Sequence, residues 1–332
     1  MEKSHARLLR SIALVMLVPA TVSAQQPSAP AKDYPSKPVR FVVPFTAGGP
    51  VDIIGRVIGQ KMVATFGQNV VLDNRAGAGG ILATDIVAKS PPDGYTVLLT
   101  TTGAHTIAGA FTQTLPYDLT RDFTPITMVA RVPGFVLCVH PAVPARSVHE
   151  LVALANAHPG KLNYGSSGQA GVLHLSMELF SFASGAKLTH IVYKGLSVLA
   201  VDLVAGHIEV AFVTPPTALE LVRSGRLRAL GINALKRWKQ LPDVPTIDEA
   251  GIKGAELSGW YGLFFPAGVP DEYVNRLHGL AVKTIAMSDV WKRFDEVGFE
   301  GDVSTNPKEF AKFVQDDLAC MKKLASRIGV PQ

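Results

Sequence analysis

The alternation of strand and helix patterns is the feature of this sequence that most constrains its fold. Short β-branched runs such as Val39–Val43 alternate with longer segments that have a helical apolar period, the first of them at residues 51–66. Strands connected through helices pair in parallel, and the helices then cover the faces of the sheet. The pattern restarts near residue 126, so the sequence predicts an α/β protein with two doubly wound sheets.

The two sheets are expected to form two lobes, because the chain has roughly the length of two domains of ~150 residues each. The first lobe is predicted to comprise residues 39–132 and 262–332, with the C-terminal helices completing it. The second lobe is predicted at residues 133–261. Apolar runs near residues 130–139 and 258–265 are the two expected crossover strands between the lobes.

The N-terminal segment has the composition of a secretory signal peptide, predicted at residues 1–24. A basic start is followed by an apolar run at residues 12–18 and by small residues that place cleavage near Ala24–Gln25. The run is shorter than the roughly 20 apolar residues that span a bilayer, so a membrane anchor is the disfavoured alternative. The mature protein, with a loose lead-in at residues 25–38, is therefore predicted to be periplasmic and not embedded in the membrane.

Export and charge limit the classes of function. Outside the cytoplasmic membrane, chemistry that depends on ATP or on nicotinamide cofactors is disfavoured. The formal net charge of +5 is mild, and the basic residues form no cluster typical of a nucleic-acid-binding surface. A small positive bias does suit an anionic small molecule. Cys138 and Cys320 each lie in an apolar run, so two buried thiols are favoured over a disulfide, although the sequence leaves their pairing open.

Two glycine-containing loops, one in each predicted lobe, are the main candidates for a binding site. Residues 44–52 connect the first strand to its helix, and residues 164–169 occupy the equivalent place in the second lobe. Glycines allow tight turns, and a helix N-terminus offers unpaired amides and a partial positive charge. The loops therefore predict an anion seat between the lobes, at the carboxyl edges of the strands. Asp52, in the first helical turn, is expected to stabilise the helix.

Other motifs favour structure over catalysis. The glycine-rich stretch at residues 74–80 lacks both the dinucleotide-binding spacing and the P-loop ending, so we interpret it as a loop and a helix start. Residues 165–169 do not match G-x-S-x-G, and no histidines have zinc-site spacing. We predict no catalytic residue, metal or cofactor, with His174 and His190 serving packing or hydrogen bonding in the second lobe. An exported serine hydrolase that uses Ser166 or Ser167 is the alternative.

Several motifs follow one another in order along nearly the whole mature length. They include Pro-Phe with Gly-Gly-Pro and Asp at 44–52, Asn-Arg with Gly-Ala-Gly-Gly at 74–80, Pro-Asp-Gly-Tyr-Thr at 92–96, Pro-Gly-Lys-Leu-Asn-Tyr-Gly-Ser-Ser-Gly at 159–168, and Tyr-Lys-Gly at 193–195. Together they resemble the Bug family of periplasmic solute receptors, the extracytoplasmic binding proteins of tripartite tricarboxylate transporters.

The resemblance implies a two-lobed, type II-like periplasmic-binding-protein fold without metal or cofactor. It implies a small carboxylate held in the cleft between the lobes, partly through ordered water. Carried over by position, the candidate ligand-binding residues are Phe45, Thr46, Ala47, Gly48, Gly49, Asp52, Thr101, His105, Ser166, Ser167, Gly168, Gln169, Tyr193, Lys194, Gly195, Val213 and Thr214.

The same resemblance implies that the lobes close around the ligand and present a surface to a membrane permease. A ligand sensor that docks on a signalling protein would have the same fold, and the sequence does not separate the two. We expect a monomer, because a closing cleft requires lobes that are free to move.

Three departures from the family pattern fall near the expected cleft. Ala170-Gly171 stand where the family often has Gly-Ser, Leu196 where it has a small residue, and Val213-Thr214 where it often has Asp-Asn. Each change removes a polar group or adds apolar bulk. We hypothesise a ligand with one carboxylate and a less polar far end, such as an aromatic or longer acyl acid. Alternatively, these positions lie outside the pocket and have no bearing on the ligand.

Overall fold

Two separate β-sheets form the framework of the protein. The computed structural model describes residues 34–112, 114–169, 171–296 and 298–328. The predicted signal peptide and most of the predicted lead-in lie outside these residues. Within the described residues, no helix is both long enough and apolar enough to cross a membrane.

The first sheet has six strands, which are β1 (Val39–Val43), β2 (Val70–Asn74), β3 (Thr96–Thr101), β4 (Phe123–Val132), β10 (Gly259–Pro266) and β11 (Glu300–Gly301). Their order across the sheet is β11-β4-β10-β3-β1-β2. Strand β1 pairs in parallel with β2 and β3, whereas β10 runs antiparallel between β3 and β4. The helices of this lobe are α1 (Pro50–Phe66), α2 (Ile81–Ala88), α3 (Ala108–Phe111), α8 (Asp271–Ile285), α9 (Ser288–Glu296) and α10 (Pro307–Ile328).

The second sheet has five strands in the order β7-β6-β8-β5-β9. They are β5 (Val136–Val139), β6 (Asn163–Ser166), β7 (Thr189–Val192), β8 (Val210–Val213) and β9 (Arg228–Ile232). Strand β6 is parallel to β7 and β8, and β5 is antiparallel to β8 and β9. Helices α4 (Val148–Ala157), α5 (Val172–Ser184), α6 (Leu196–Ala205) and α7 (Pro215–Arg223) complete the lobe. The mixed α/β architecture with two sheets agrees with the fold class predicted from the sequence.

The chain crosses between the sheets twice. It leaves the first sheet at Val132 and enters the second at Val136. It returns to the first sheet at Gly259, which pairs with Val132. The first sheet therefore already includes residues 259–261, three residues earlier than the predicted boundary at 262, because the aromatic run keeps pairing with β4 up to the crossover.

Helix α10 packs over the first sheet and covers β10, whose eight residues are all buried. The rings of Trp260 and Phe310 meet edge to face with centroids 5.7 Å apart, and Phe264 joins the same apolar cluster. Cys138 is buried in β5, whereas Cys320 is exposed on α10 and both thiols are free. The expectation that Cys320 is buried was wrong, because the short apolar run around it belongs to an amphipathic helix that turns this residue outward.

The contact between β10 and α10 depends on a glycine, and a pair of substitutions tests this. A Cβ at Gly262 would lie 2.4 Å from Cζ of Phe310, so Gly262→Ala should lower the free energy of unfolding by about 1–3 kcal/mol. Gly279, in α8, has open space around it, so Gly279→Ala should raise that free energy by roughly 0.5–1 kcal/mol through helix propensity. Urea unfolding measures the free energy of unfolding of both variants. The same change in that free energy for Gly262→Ala and Gly279→Ala would contradict the packing described.

Candidate ligand-binding site

A cavity between the two lobes is the candidate site. Its empty volume is about 590 Å³, including the opening. The lining residues come from the loops after β1 and β3, from the crossover segments, and from the loops of the second lobe. They are Phe45, Thr46, Gly49, Pro50, Val51, Thr101, Thr102, Gly103, Val132, Phe135, Ser167, Gly171, Val172, Leu173, Leu196, Thr214, Gly259, Trp260 and Tyr261. The two predicted glycine loops thus reach one shared space.

The two lobes touch each other around this cavity, so the structure is a closed form. Ser197 Oγ of the second lobe donates a hydrogen bond to the Ala47 carbonyl of the first lobe, at 3.4 Å. Glycines allow the backbones to approach. A Cβ at Gly168 would lie 3.1 Å from Gly79 Cα, and one at Gly195 would lie 2.9 Å from Thr46 Oγ1. Side chains at these positions would hold the lobes apart.

Helix N-termini supply the electrostatic character of the cavity. Helices α1, α5 and α6 begin directly after Gly49, Gly171 and Gly195. Because the three cap residues are glycines, no cap side chain hydrogen-bonds to the first-turn amides. The first-turn amides of a helix have no partner within it, and the N-terminus carries a partial positive charge. None of the described lining residues has a charged side chain. An anion in the cavity would therefore be bound by backbone amides and hydroxyl groups.

Asp52 lies behind the first loop and fixes its shape. Its side chain is only 2% exposed, and its carboxylate accepts hydrogen bonds from the Gly48 amide at 2.9 Å and from Arg56 Nε at 2.8 Å. Burial alone would raise the pKa of Asp52, but the hydrogen bonds from Arg56 and Gly48 outweigh it and hold the pKa below its usual value. Asn74 Nδ2 donates to the Phe45 carbonyl at 2.9 Å. Two polar side chains thus brace the loop from outside the cavity.

His105 lies away from the cavity wall, contrary to its predicted place in the site. The chain after β3 forms a π-helical turn, Gly103–Ile107, which leaves Gly103 on the wall and turns His105 inward. There the imidazole is fully buried against the Phe264 ring, with centroids 4.4 Å apart, and neither ring nitrogen has a hydrogen-bond partner. Burial lowers the pKa of His105 to about 3, so it is a neutral core residue.

The two adjacent serines of the second loop have different surroundings. Ser167 lines the cavity, whereas Ser166 is fully buried at the end of β6 and hydrogen-bonds to the Gly168 carbonyl at 3.0 Å and to His190 Nε2 at 2.6 Å. The difference arises because Ser166 is the last residue of β6, whereas Ser167 follows the strand in the turn that reaches the cavity. Ser166 therefore braces the loop and does not face a ligand.

The histidine bound to Ser166 is part of an aromatic stack beneath the loop. His190 lies between Tyr164 and His174, with ring centroids 4.7 Å and 4.1 Å away. Burial lowers the pKa of His174 and of His190 to about 4, so both rings are neutral near pH 7. Among the described residues, Ser167 has no histidine as a hydrogen-bond partner. The serine that hydrogen-bonds to His190 is thus the buried Ser166, which does not face the cavity and cannot act as a nucleophile from it.

The remaining candidates lie beside or behind the wall. Tyr193 donates to Asp202 at 2.8 Å, Lys194 is exposed, and Val213 is buried within β8. Of the seventeen candidates, those that line the cavity are Phe45, Thr46, Gly49, Thr101, Ser167 and Thr214. Those that do not line it are Ala47, Gly48, Asp52, His105, Ser166, Gly168, Gln169, Tyr193, Lys194, Gly195 and Val213.

Sequence reasoning missed the apolar wall at the hinge. Val132, Phe135 and Trp260 line the cavity where the chain crosses between the lobes. The predicted crossovers near residues 130–139 and 258–265 already contained the signal, because segments that connect two lobes must border the cleft between them. Leu196, noted only as a departure from the family pattern, also lies on the wall.

Two lobes with a cavity of this size between them define a solute-binding protein of the periplasmic type, and solved structures of such proteins share the fold. The sequence model of one protein family, the tripartite tricarboxylate transporter family receptor, matches residues 54–330. The chain therefore belongs to this receptor family. The resemblance drawn from the sequence motifs is thereby confirmed.

Relatives and solved structures match over most of their length. BugT of Bordetella pertussis is 33% identical over 312 residues, which are 94% of this chain and 95% of BugT. The structure of R. palustris Rpa4515 with adipate has a TM-score of 0.85 at 34% identity and covers 90% of this chain and 99% of that one. The structure of MatC from Rhodopseudomonas palustris with bound malate has a TM-score of 0.83 at 30% identity. The match covers 87% of this chain and 99% of MatC. The likeness therefore includes both lobes.

The buried histidines predict a stability that depends on pH. The folded protein keeps the pKa of His105 near 3 and that of His174 near 4, below the ordinary 6.5, so the unfolded chain binds protons that the folded protein excludes. The free energy of unfolding should therefore have its full value above about pH 6.5 and should fall as the pH drops towards about 4. The expected loss at pH 5 is about 2 kcal/mol per histidine.

Urea unfolding at pH 7.5, 6 and 5 measures this slope. His105→Phe should flatten it, because phenylalanine fits the aromatic surroundings and does not titrate. His158→Gln, a change at an exposed residue, is the matched control and should leave the slope as it is. A free energy of unfolding that stays constant from pH 7.5 to pH 5 would contradict the burial of neutral imidazoles.

Proposed function

We propose that this protein is a periplasmic receptor that captures a small carboxylate between its lobes and delivers it to a permease of the tripartite tricarboxylate type. The observation that carries the proposal is the meeting of helix N-termini from both lobes at one cavity without charged side chains. Such a wall attracts an anion, and hydrogen-bond donors from both lobes would bind that anion.

The strength of such a site fits uptake of a dilute solute. A hydrogen bond to a charged group contributes roughly 1.5–3 kcal/mol. Four or five such bonds, less the cost of immobilising the ligand and ordering the lobes, give about −8 kcal/mol, which corresponds to a dissociation constant near ~1 μM. No cationic side chain is needed for this affinity.

The relatives support a carboxylate as the ligand. Rpa4515 was solved with adipate and MatC with malate, and both match this chain along nearly their whole length. The membership of the receptor family, together with the signal peptide predicted at residues 1–24, supports a periplasmic location and a permease as partner.

Ligand chemistry tests the proposal directly. After unfolding and refolding to remove any retained molecule, carboxylates such as malate, adipate, hexanoate and benzoate should be screened by thermal shift. At least one should raise the melting temperature, because a ligand that binds only the folded form stabilises it. The matching neutral amides should not do so. Equal shifts by acids and amides, or no shift by any acid, would contradict the proposal.

Ser167 provides a test within the wall. Ser167→Ala removes a hydroxyl from the cavity and should weaken binding of the best carboxylate by about 1–3 kcal/mol, roughly 5- to 150-fold, in isothermal titration calorimetry. Ser224→Ala is the matched control, because Ser224 ends α7 outside the cavity. Affinity unchanged by Ser167→Ala would place the ligand elsewhere.

A further inference from the structure

We infer that the ligand carries one carboxylate on an otherwise apolar body, such as a short acyl chain or a single ring. This inference rests on the proposed carboxylate-receptor function and adds the chemistry of the rest of the molecule. It follows from the distribution of hydrogen-bond donors and apolar side chains along the cavity wall.

Two hydroxyl groups of the wall lie beside helix starts. Thr46 Oγ1 is buried and has no hydrogen-bond partner. Thr46 lies beside the start of α6, because a Cβ at Gly195 would be 2.9 Å from its hydroxyl. Ser167 lies beside the start of α5, because a Cβ at Gly171 would be 3.9 Å from Ser167 Oγ. Each lobe thus offers one wall hydroxyl next to helix amides that suit an acid group.

Three other polar residues of the wall, Thr101, Thr102 and Trp260, already have hydrogen-bond partners within the protein. Thr102 Oγ1 accepts a hydrogen bond from the Trp260 amide at 2.7 Å, and Trp260 Nε1 donates to Asp317 at 2.8 Å. Thr101 Oγ1 accepts from the Ala104 amide at 3.2 Å. Thr102 and Trp260 would have to give up their present acceptors to donate to a second acid group, whereas the Thr101 hydroxyl accepts in its bond and keeps its own hydrogen.

Helix α7 is unsuited to hold a second carboxylate. It begins with Pro215 and Pro216, which have no amide hydrogen, so its first two positions offer no donor. The hydroxyl of Thr214, which caps this helix and lines the cavity, lies 3.3 Å from Thr217 Oγ1 and shares a hydrogen bond with it. Helix α1 also begins with a proline, Pro50, but its second position keeps an amide hydrogen, so α7 offers fewer first-turn donors than α1, α5 and α6.

The hinge end of the cavity is apolar. A Cβ at Gly259 would lie 3.2 Å from Phe135 Cζ and 3.6 Å from Val132 Cβ, so these residues form one continuous surface at the crossovers. A second carboxylate at the crossovers would lose its hydration without gaining a partner from these apolar side chains, whereas a methylene chain or a ring would be favourably buried. Leu173 and Leu196, in the first turns of α5 and α6, add aliphatic surface to the wall from the second lobe.

Matched acids separate this inference from the proposed function. Calorimetry on the refolded wild-type protein should compare hexanoate with adipate, and benzoate with terephthalate, with hexanamide and benzamide as neutral controls. We expect the monocarboxylate of each pair to bind at least about tenfold more tightly than the dicarboxylate, and the amides not to bind. Tighter binding of both dicarboxylates would overturn the inference and leave the carboxylate-receptor function standing. Amides that bind as well as the acids would overturn both.

A change in the apolar wall gives a second readout. Leu196→Ser, and the milder Leu196→Thr, should weaken hexanoate binding by about tenfold and so reduce its advantage over adipate. Val201→Ser is the matched control on the same helix, since Val201 is 67% exposed and not part of the cavity, and it should change neither affinity. Equal weakening of hexanoate and adipate by both Leu196 variants would contradict the assignment of this wall to the apolar body.

Discussion

The close approach of backbones from two lobes is the constraint on which the site depends. A single small anion can be bound by amides of both halves only if those halves come within a few ångströms of each other. A Cβ at Gly168 would lie only 3.1 Å from Gly79 Cα, and a Cβ at Gly103 would lie 2.9 Å from the Val172 amide nitrogen. The absence of side chains at these places is what allows the helix starts to share one cavity.

The site achieves its electrostatic character without charged groups on its wall. The one buried carboxylate nearby, Asp52, faces away from the cavity and is neutralised by Arg56 and by the Gly48 amide. An acid bound here would have no opposing charge to overcome and no salt bridge to break on release. Affinity built from amides and hydroxyls depends on geometry, so any movement that separated the lobes would remove it.

Much of the fold could be predicted from the sequence, because strand and helix patterns are local. The site was predictable only in part, because the conformation of a turn decides whether a side chain points into the cavity or into the core. The loop at residues 44–52 could be placed by its glycines and by the helix that follows. His105 could not, since a π-helical turn of five residues rotates it into the core and nothing in the local sequence signals that turn. Ser166 and Ser167 were both candidates, because the local sequence does not fix that β6 ends at Ser166 and that Ser167 lies in the following turn. Cys320 was wrongly expected to be buried, because the short apolar run around it does not show which face of the amphipathic helix it occupies.

The side chain of Asp317 ties helix α10 to two segments of the first lobe. It accepts hydrogen bonds from Trp260 Nε1 and from Thr106 Oγ1, so α10 fastens both a crossover strand and the turn beneath the cavity. The binding pocket is therefore completed only after α10 has been synthesised. A chain without α10 would keep every wall residue yet lack the clamp that holds them, so this helix is a condition for a competent receptor.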